Sequence, residues 1–209
     1  MTEFAGLTLD RFVRALASQS PTPGGGTAAA VAGALGAGLA EMVAELTLSK
    51  EKFAAAHGAM RTIAEEARRT REELLRLADE DTAAYDAVVA ARRMPRETDE
   101  EKAARSSAIA AANRAATEVP MRTARAAVRL LSALPELAEK GNPNALSDAG
   151  AAALLLEASA EGALLNVGIN LPGVADPGFV SRMQKETASI QVEAQRVRDQ
   201  VLGAVRKTF

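Results

Sequence analysis

Between Gly26 and Ser49 the sequence reads as a helix with no charged residue before Glu41, and small residues recur along it every four positions: Ala29, Gly33 and Ala37, reinforced by Gly36 and Gly38. Glycine costs roughly 1 kcal/mol against alanine inside a helix. A helix that keeps several of them is therefore shaped for a neighbouring backbone to come close, either a helix of the same chain or one from a second copy. The rest of the composition agrees. Aromatic residues are 3% of the 209, with no Trp and one Tyr, so the core must be built from Ala, Leu, Val, Ile and Met. Such residues suit helix-on-helix packing, and no segment shows the two-residue alternation of a half-buried strand.

Start and stop signals divide the chain into helices. The first spans about Thr8 to Ser18, with Leu9, Phe12, Val13 and Leu16 on one face. Pro21, Pro23 and Gly24 to Gly26 break the chain before the second. The third spans about Glu51 to Arg93 and stops at Met94-Pro95. Thr98 and Glu101 form a capping box that opens a fourth, to about Ser132, which Pro120 should kink or split. A short helix over Pro135 to Lys140 leads to the turn Gly141-Asn142-Pro143-Asn144. A further helix spans Leu146 to Asn170, and Asp176-Pro177 opens the last, Gly178 to Lys207. With no linker or repeat, the expectation is an all-α single-domain bundle of long antiparallel helices over residues 1–209.

Charge and composition exclude several functions. The net charge of −2 and the absence of a basic block point away from nucleic acid. The uncharged run Ala28 to Ala40, about 13 residues, falls short of the roughly 20 a membrane span needs, which leaves a buried core helix. There is no Cys, hence no disulfide framework, and Glu3 stands where a signal peptide carries positive charge; both fit the cytoplasm. His57 is the only histidine and no metal-ligand motif accompanies it, so no metal site is expected. The glycines of Gly24-Gly25-Gly26 follow no strand and lack the Lys of a Walker motif. They read as a turn that lets backbone approach something closely, or as helix-start N–H groups open to an anion.

Two polar placements break the pattern. Asp81 falls within the apolar stripe Met60, Ile63, Ala67, Leu74, Leu77, Tyr85, Val88, where an ionised carboxylate needs a partner or a raised pKa. That suits proton transfer, and equally an acidic patch reaching solvent. Asp79 lies roughly 200° round the helix from it. On the helix from Leu146, at 100° per residue, Ser159, Asn166 and Asn170 fall within about 40° of Asp148, while Glu157 and Glu161 fall on the opposite side. Such a row marks a polar cavity, a buried network or a polar subunit contact.

The segment "SPTPGGGTAAAVAGALGAGLAEMVAELTLSK" resembles the signature of the cyclodeaminase/cyclohydrolase family of folate enzymes. The likeness continues through "LADEDTAAYDAVVAARRMP", "DEEKAARSSAI", "EVP", "GNPNALSDAGAAA" and "EGALLNVGINL", from Phe12 to beyond Phe179. The resemblance implies an all-α protein that assembles as a homodimer or higher even oligomer, uses no metal or cofactor, and acts on a tetrahydrofolate derivative. Its motif falls on Pro21, Pro23, Gly24, Gly25, Gly26, Lys50, Asp79, Asp81, Gly141, Asn142, Ser147, Asp148, Asn166 and Asn170. Position 27 is Thr where the family usually has Ser.

The implied reaction is cyclisation of 5-formiminotetrahydrofolate to 5,10-methenyltetrahydrofolate with loss of ammonia. The alternatives are hydrolysis of the methenyl compound to 10-formyltetrahydrofolate, and a non-catalytic folate-binding or scaffold dimer. Asp81 and Asp148 are the expected acid/base pair, with Asn166, Asn170 and Ser147 orienting the substrate. The PTPGGG turn and Lys50 are expected to hold the pterin or the glutamyl carboxylate, and Asp79 and Asn142 to bind substrate. No formimidoyltransferase segment is recognised, so a separate transferase would be a partner.

Overall fold

A computed structural model describes residues 4–207. Its long elements are α1 (Leu9–Leu16), α2 (Gly25–Leu48), α3 (His57–Arg92), α4 (Asp99–Leu131), α5 (Leu134–Lys140), α6 (Leu146–Asn170) and α7 (Pro177–Arg206), joined by short 3-10 turns. No strand occurs among the described residues. The cross-helix contacts show antiparallel packing of α2 on α3, α3 on α4, α2 on α6 and α6 on α7, while α4 and α7 run parallel, Arg114 meeting Asp176 and Arg125 meeting Glu186. Gly26 meets Asp81 and Gly38 meets Arg71 across α2 and α3, and Glu80 pairs with Arg122 and Glu66 with Arg129 across α3 and α4. Gly33 meets Ser159 across α2 and α6, and Glu161 and Glu157 meet Gln191 and Arg198 across α6 and α7. The all-α single-domain bundle is as expected.

The close neighbour required by the glycines of α2 is the chain's own α6. A Cβ at Gly36 would lie 3.0 Å from the Ala152 carbonyl oxygen, and one at Gly33 would overlap the Ser159 hydroxyl. The main core lies among α2, the first turns of α3, α4, α5, α6 and α7, with Met60, Leu130, Leu156 and Val197 buried in it. A second cluster, including Ala30, Leu74, Leu77 and Ala126, joins α2, α3 and α4. Gly25–Leu48 and Pro143–Gly173 are each long and apolar enough to cross a membrane, which corrects the count based on the uncharged run alone; 56% and 44% of their apolar windows are buried inside the bundle.

Three expectations differ in detail. Residues Glu51–Ala56 form a 3-10 turn, with Phe53 at φ −106°, ψ 17°, so α3 starts at His57. In α1 only Phe12 is buried, while Leu9 and Val13 stay exposed. Pro120 does not split α4, which runs unbroken to Leu131. Other signals are met as read. Thr98 and Glu101 exchange hydrogen bonds at 3.2 and 3.1 Å, and Asp176 caps α7 through the Phe179 N–H at 3.0 Å.

Candidate functional site

Antiparallel packing brings the start of α2, the later turns of α3, the middle of α4 and the end of α6 to one end of the bundle. Between them lies a cavity of about 380 Å³, within the usual range for small-molecule sites. Gly24, Gly25, Gly26, Asp81, Asn166 and Asn170 line it, as do Tyr85, Arg92 and Asn113.

Asp81 sits against the first turn of α2. Gly24, at the N-cap, has no side chain to cap the helix. Asp81 supplies the anion instead: its Oδ2 accepts the Thr27 hydroxyl at 2.9 Å, and the Thr27 backbone N–H also binds the carboxylate. A Cβ at Gly26 would overlap this carboxylate, so only glycine leaves it room. Burial raises the Asp81 pKa above the ordinary carboxylate value, and the two Thr27 hydrogen bonds pull it down but do not cancel the rise. The helix-start N–H groups expected to meet a substrate anion are thus partly taken by a side chain of the protein.

The amides of α6 are held from behind. Asn166 donates from Nδ2 to the Gly162 carbonyl at 2.9 Å, and Asn170 donates from Nδ2 to the Ala116 carbonyl at 2.7 Å. Ala116 lies four residues before Pro120, and proline has no N–H to bond it. The carbonyl freed by Pro120 therefore anchors Asn170. In both residues the side-chain oxygen is left without a partner among the described residues. Opposite them, Asn113 donates to the Gly173 carbonyl at 2.6 Å. Arg92 at the mouth forms no ion pair among the described residues.

The remaining expected residues lie elsewhere. Pro23 and Asp79 line a neighbouring cavity of about 610 Å³ on the other side of the PTPGGG turn. There Asp79 accepts the Phe4 N–H at 2.8 Å, in keeping with its separate angular position on the helix. Lys50, Asn142, Ser147 and Asp148 sit at the opposite end of the bundle. Eighteen residues of α6 separate Asp148 from Asn166, about 27 Å of helix rise. The polar row of α6 is thus not one site within a single chain, and the proposed carboxylate pair is not brought together in it. Asn142 is buried in a turn, its N–H bonded to the Thr47 hydroxyl at 2.8 Å and its Oδ1 to the Asn144 N–H at 3.2 Å. Ser159 is fully buried against Gly33.

Tyr85, Arg92, Asn113 and Thr27 went unassigned in the sequence. Tyr85 already stood in the stripe that holds Asp81, read there only as an apolar member, and Arg92 follows Asp81 by eleven residues, so extending the stripe would have found it. Asn113 had no such signal. No group of three or more metal-ligating side chains occurs among the described residues.

Against known proteins, the profile of the formiminotransferase-cyclodeaminase family matches residues 8–189. The chain is 38% identical over 199 residues to a methenyltetrahydrofolate cyclohydrolase of Methylorubrum extorquens, covering 95% of this chain and 96% of that one. It is 36% identical to the formimidoyltransferase-cyclodeaminase of Rattus norvegicus, covering 95% of this chain but spanning only 37% of that longer protein. A crystal structure of formiminotetrahydrofolate cyclodeaminase from Thermotoga maritima superposes with a TM-score of 0.88, at 31% identity and over 99% of both chains.

Proposed function

The chain belongs to the formiminotransferase-cyclodeaminase family, and from that premise we propose that it is a folate one-carbon enzyme that cyclises 5-formiminotetrahydrofolate to 5,10-methenyltetrahydrofolate with release of ammonia. The observation that carries the reading is the desolvated Asp81 carboxylate, facing a cavity with two anchored amides and held over the start of α2.

In the protonated formimino group the carbon is electrophilic. N10 attacks it, forming the N10–C bond. The N10 proton then moves to the formimino nitrogen, and the C–N bond to that nitrogen breaks as ammonia leaves. One carboxyl that can take and return a proton serves both transfers, and a pKa raised by burial favours that role. The methenyl product is a cation, which the Asp81 carboxylate stabilises in the low-dielectric cavity. Asn166 and Asn170 offer carbonyl oxygens to the N–H groups of the pterin ring. Arg92 at the mouth suits the glutamyl carboxylate.

The reaction as written consumes the folate alone. Its formimino group comes from a transferase activity outside these residues. The reading places the enzyme in the cytoplasm, as an even-numbered oligomer.

A second reading is favoured by the Methylorubrum relative, which matches over nearly its whole length. Here water attacks the methenyl carbon of the same folate and Asp81 accepts one of its protons; the C–N5 bond then breaks, the remaining hydroxyl proton passes to N5, and the carbon is left as the formyl group of 10-formyltetrahydrofolate.

Ultraviolet absorbance of the methenyl chromophore separates the readings. Absorbance that grows from 5-formiminotetrahydrofolate, with ammonia released, marks the cyclodeaminase. Absorbance of 5,10-methenyltetrahydrofolate that decays faster than in buffer marks the cyclohydrolase. Neither change would leave the non-catalytic folate-binding helical module.

A further inference from the structure

The hydrogen bonds of Asp81 lead out of the cavity it faces. Its Oδ2 accepts the Thr27 hydroxyl at 2.9 Å, and the Thr27 Oγ1 lies 3.3 Å from the Thr82 Oγ1. Thr27 is fully buried. Thr82 is absent from the lining of the Asp81 cavity and lines instead the neighbouring cavity of about 610 Å³. Three side chains thus cross the wall between the two cavities. The sequence explains the join. Successive residues of a helix point about 100° apart, so Asp81 and Thr82 flank the first turn of α2 from two directions. Thr27, the first side chain after three glycines, meets both. A threonine has one hydroxyl hydrogen. Thr27 gives its hydrogen to the carboxylate, so Thr82 is the donor at the 3.3 Å contact. Hydrogen bonds of this length tighten once substrate is bound.

The second cavity is suited to receive a proton. Asp79 and Asp86 line it, and no Lys, Arg or His does among the described residues. Ser18, Ser20 and Asp86 on its lining are exposed, so it opens to water. Carboxylates at such a mouth hold a negative potential that draws protons.

Hydrolysis of the methenyl folate needs an outlet of this kind. The methenyl cation and water give a neutral formyl group and one proton, which Asp81 is left holding while folate covers the direct way out. Cyclisation makes no such demand, because the proton taken from N10 returns to the departing nitrogen. We propose that Thr27 and Thr82 form a relay that carries the hydrolytic proton from Asp81 to the second cavity while folate fills the first. The Asp81 Oδ2–H gives its proton to the Thr27 Oγ1, Thr27 passes its own to the Thr82 Oγ1, and Thr82 passes its own to water in the second cavity. Three O–H bonds break and three form. The carboxylate ends ionised, and the two hydroxyls rotate back to donate toward it. Both threonines act through Asp81 and touch no reacting atom. The inference rests on the hydrolytic reading of the site.

Thr82→Val keeps the shape of the side chain and removes the hydroxyl, whereas Thr82→Ser keeps the hydroxyl. Hydrolysis of 5,10-methenyltetrahydrofolate is followed by absorbance in dilute buffer, with the rate in the absence of enzyme subtracted. Thr82→Val should lower kcat by roughly tenfold, less than the loss of Asp81 itself, and leave KM in place. Added formate or imidazole, small enough to carry protons through the folate-filled mouth, should restore its kcat, and so should Thr82→Ser. A wild-type kcat in Thr82→Val would overturn the relay. So would a loss that the small buffers do not relieve, or one that Thr82→Ser shares, since either marks a packing role. Two further outcomes strike the underlying reading instead, and the relay with it: a wild type that does not hydrolyse the methenyl folate, or hydrolysis that survives Asp81→Asn.

Discussion

At Asp81 burial and hydrogen bonding act in opposite directions, and burial wins. Stability should follow. An aspartate whose folded pKa lies above its unfolded value near 3.8 favours the fold most at pH below that value, and this contribution is lost as pH rises through the raised folded pKa. At neutral pH, wild type should therefore lose stability relative to Asp81→Asn, and urea titrations of both across pH 4 to 8 would show the gap closing on the acid side. Thr27 tunes the same group. Thr27→Val keeps the shape but removes the hydroxyl that binds Oδ2 at 2.9 Å. Its acid limb of kcat/KM should move to higher pH, while loss of activity without such a shift would mean that Thr27 acts only in packing. The carboxylate itself was visible in the sequence because a charge interrupted an apolar stripe. Its partner Thr27 was not, since a threonine in an alanine-rich helix breaks no pattern.

For elements, the glycines of α2 and the proline of α4 are the informative positions. Gly36→Val would push a side chain into the Ala152 carbonyl and Leu156, and should cost about 1–3 kcal/mol in denaturant unfolding through overpacking. Pro120→Ala restores an N–H that competes with Asn170 for the Ala116 carbonyl. The helix should gain stability while KM for the folate rises; an unchanged KM would separate Asn170 from substrate binding. Periodicity and caps located every long helix. Pro120 was read as a break because local rules ignore what else can bond a freed carbonyl. The start of α3 was misplaced because the 3-10 turn at Glu51–Ala56 carries the composition of a helix.

Across the whole molecule, the all-α bundle and one wall of the cavity were legible: the PTPGGG turn, Asp81, Asn166 and Asn170. Which residues share an end was not, because a heptad-like stripe gives direction around a helix and says nothing about position along a neighbour. Asp148 and Asn166 share a face of α6, yet the helix holds them about 27 Å apart. The four-helix convergence that places Asp81 beside Asn170 is set by chain topology alone. The central claim is that this cavity performs the folate chemistry through Asp81. Its most direct test is turnover of Asp81→Asn beside wild type, on whichever folate the wild type converts, with circular dichroism confirming equal helicity. The account predicts a loss on the order of 10²–10⁴-fold with the helices intact. Turnover close to wild type in that variant would contradict it.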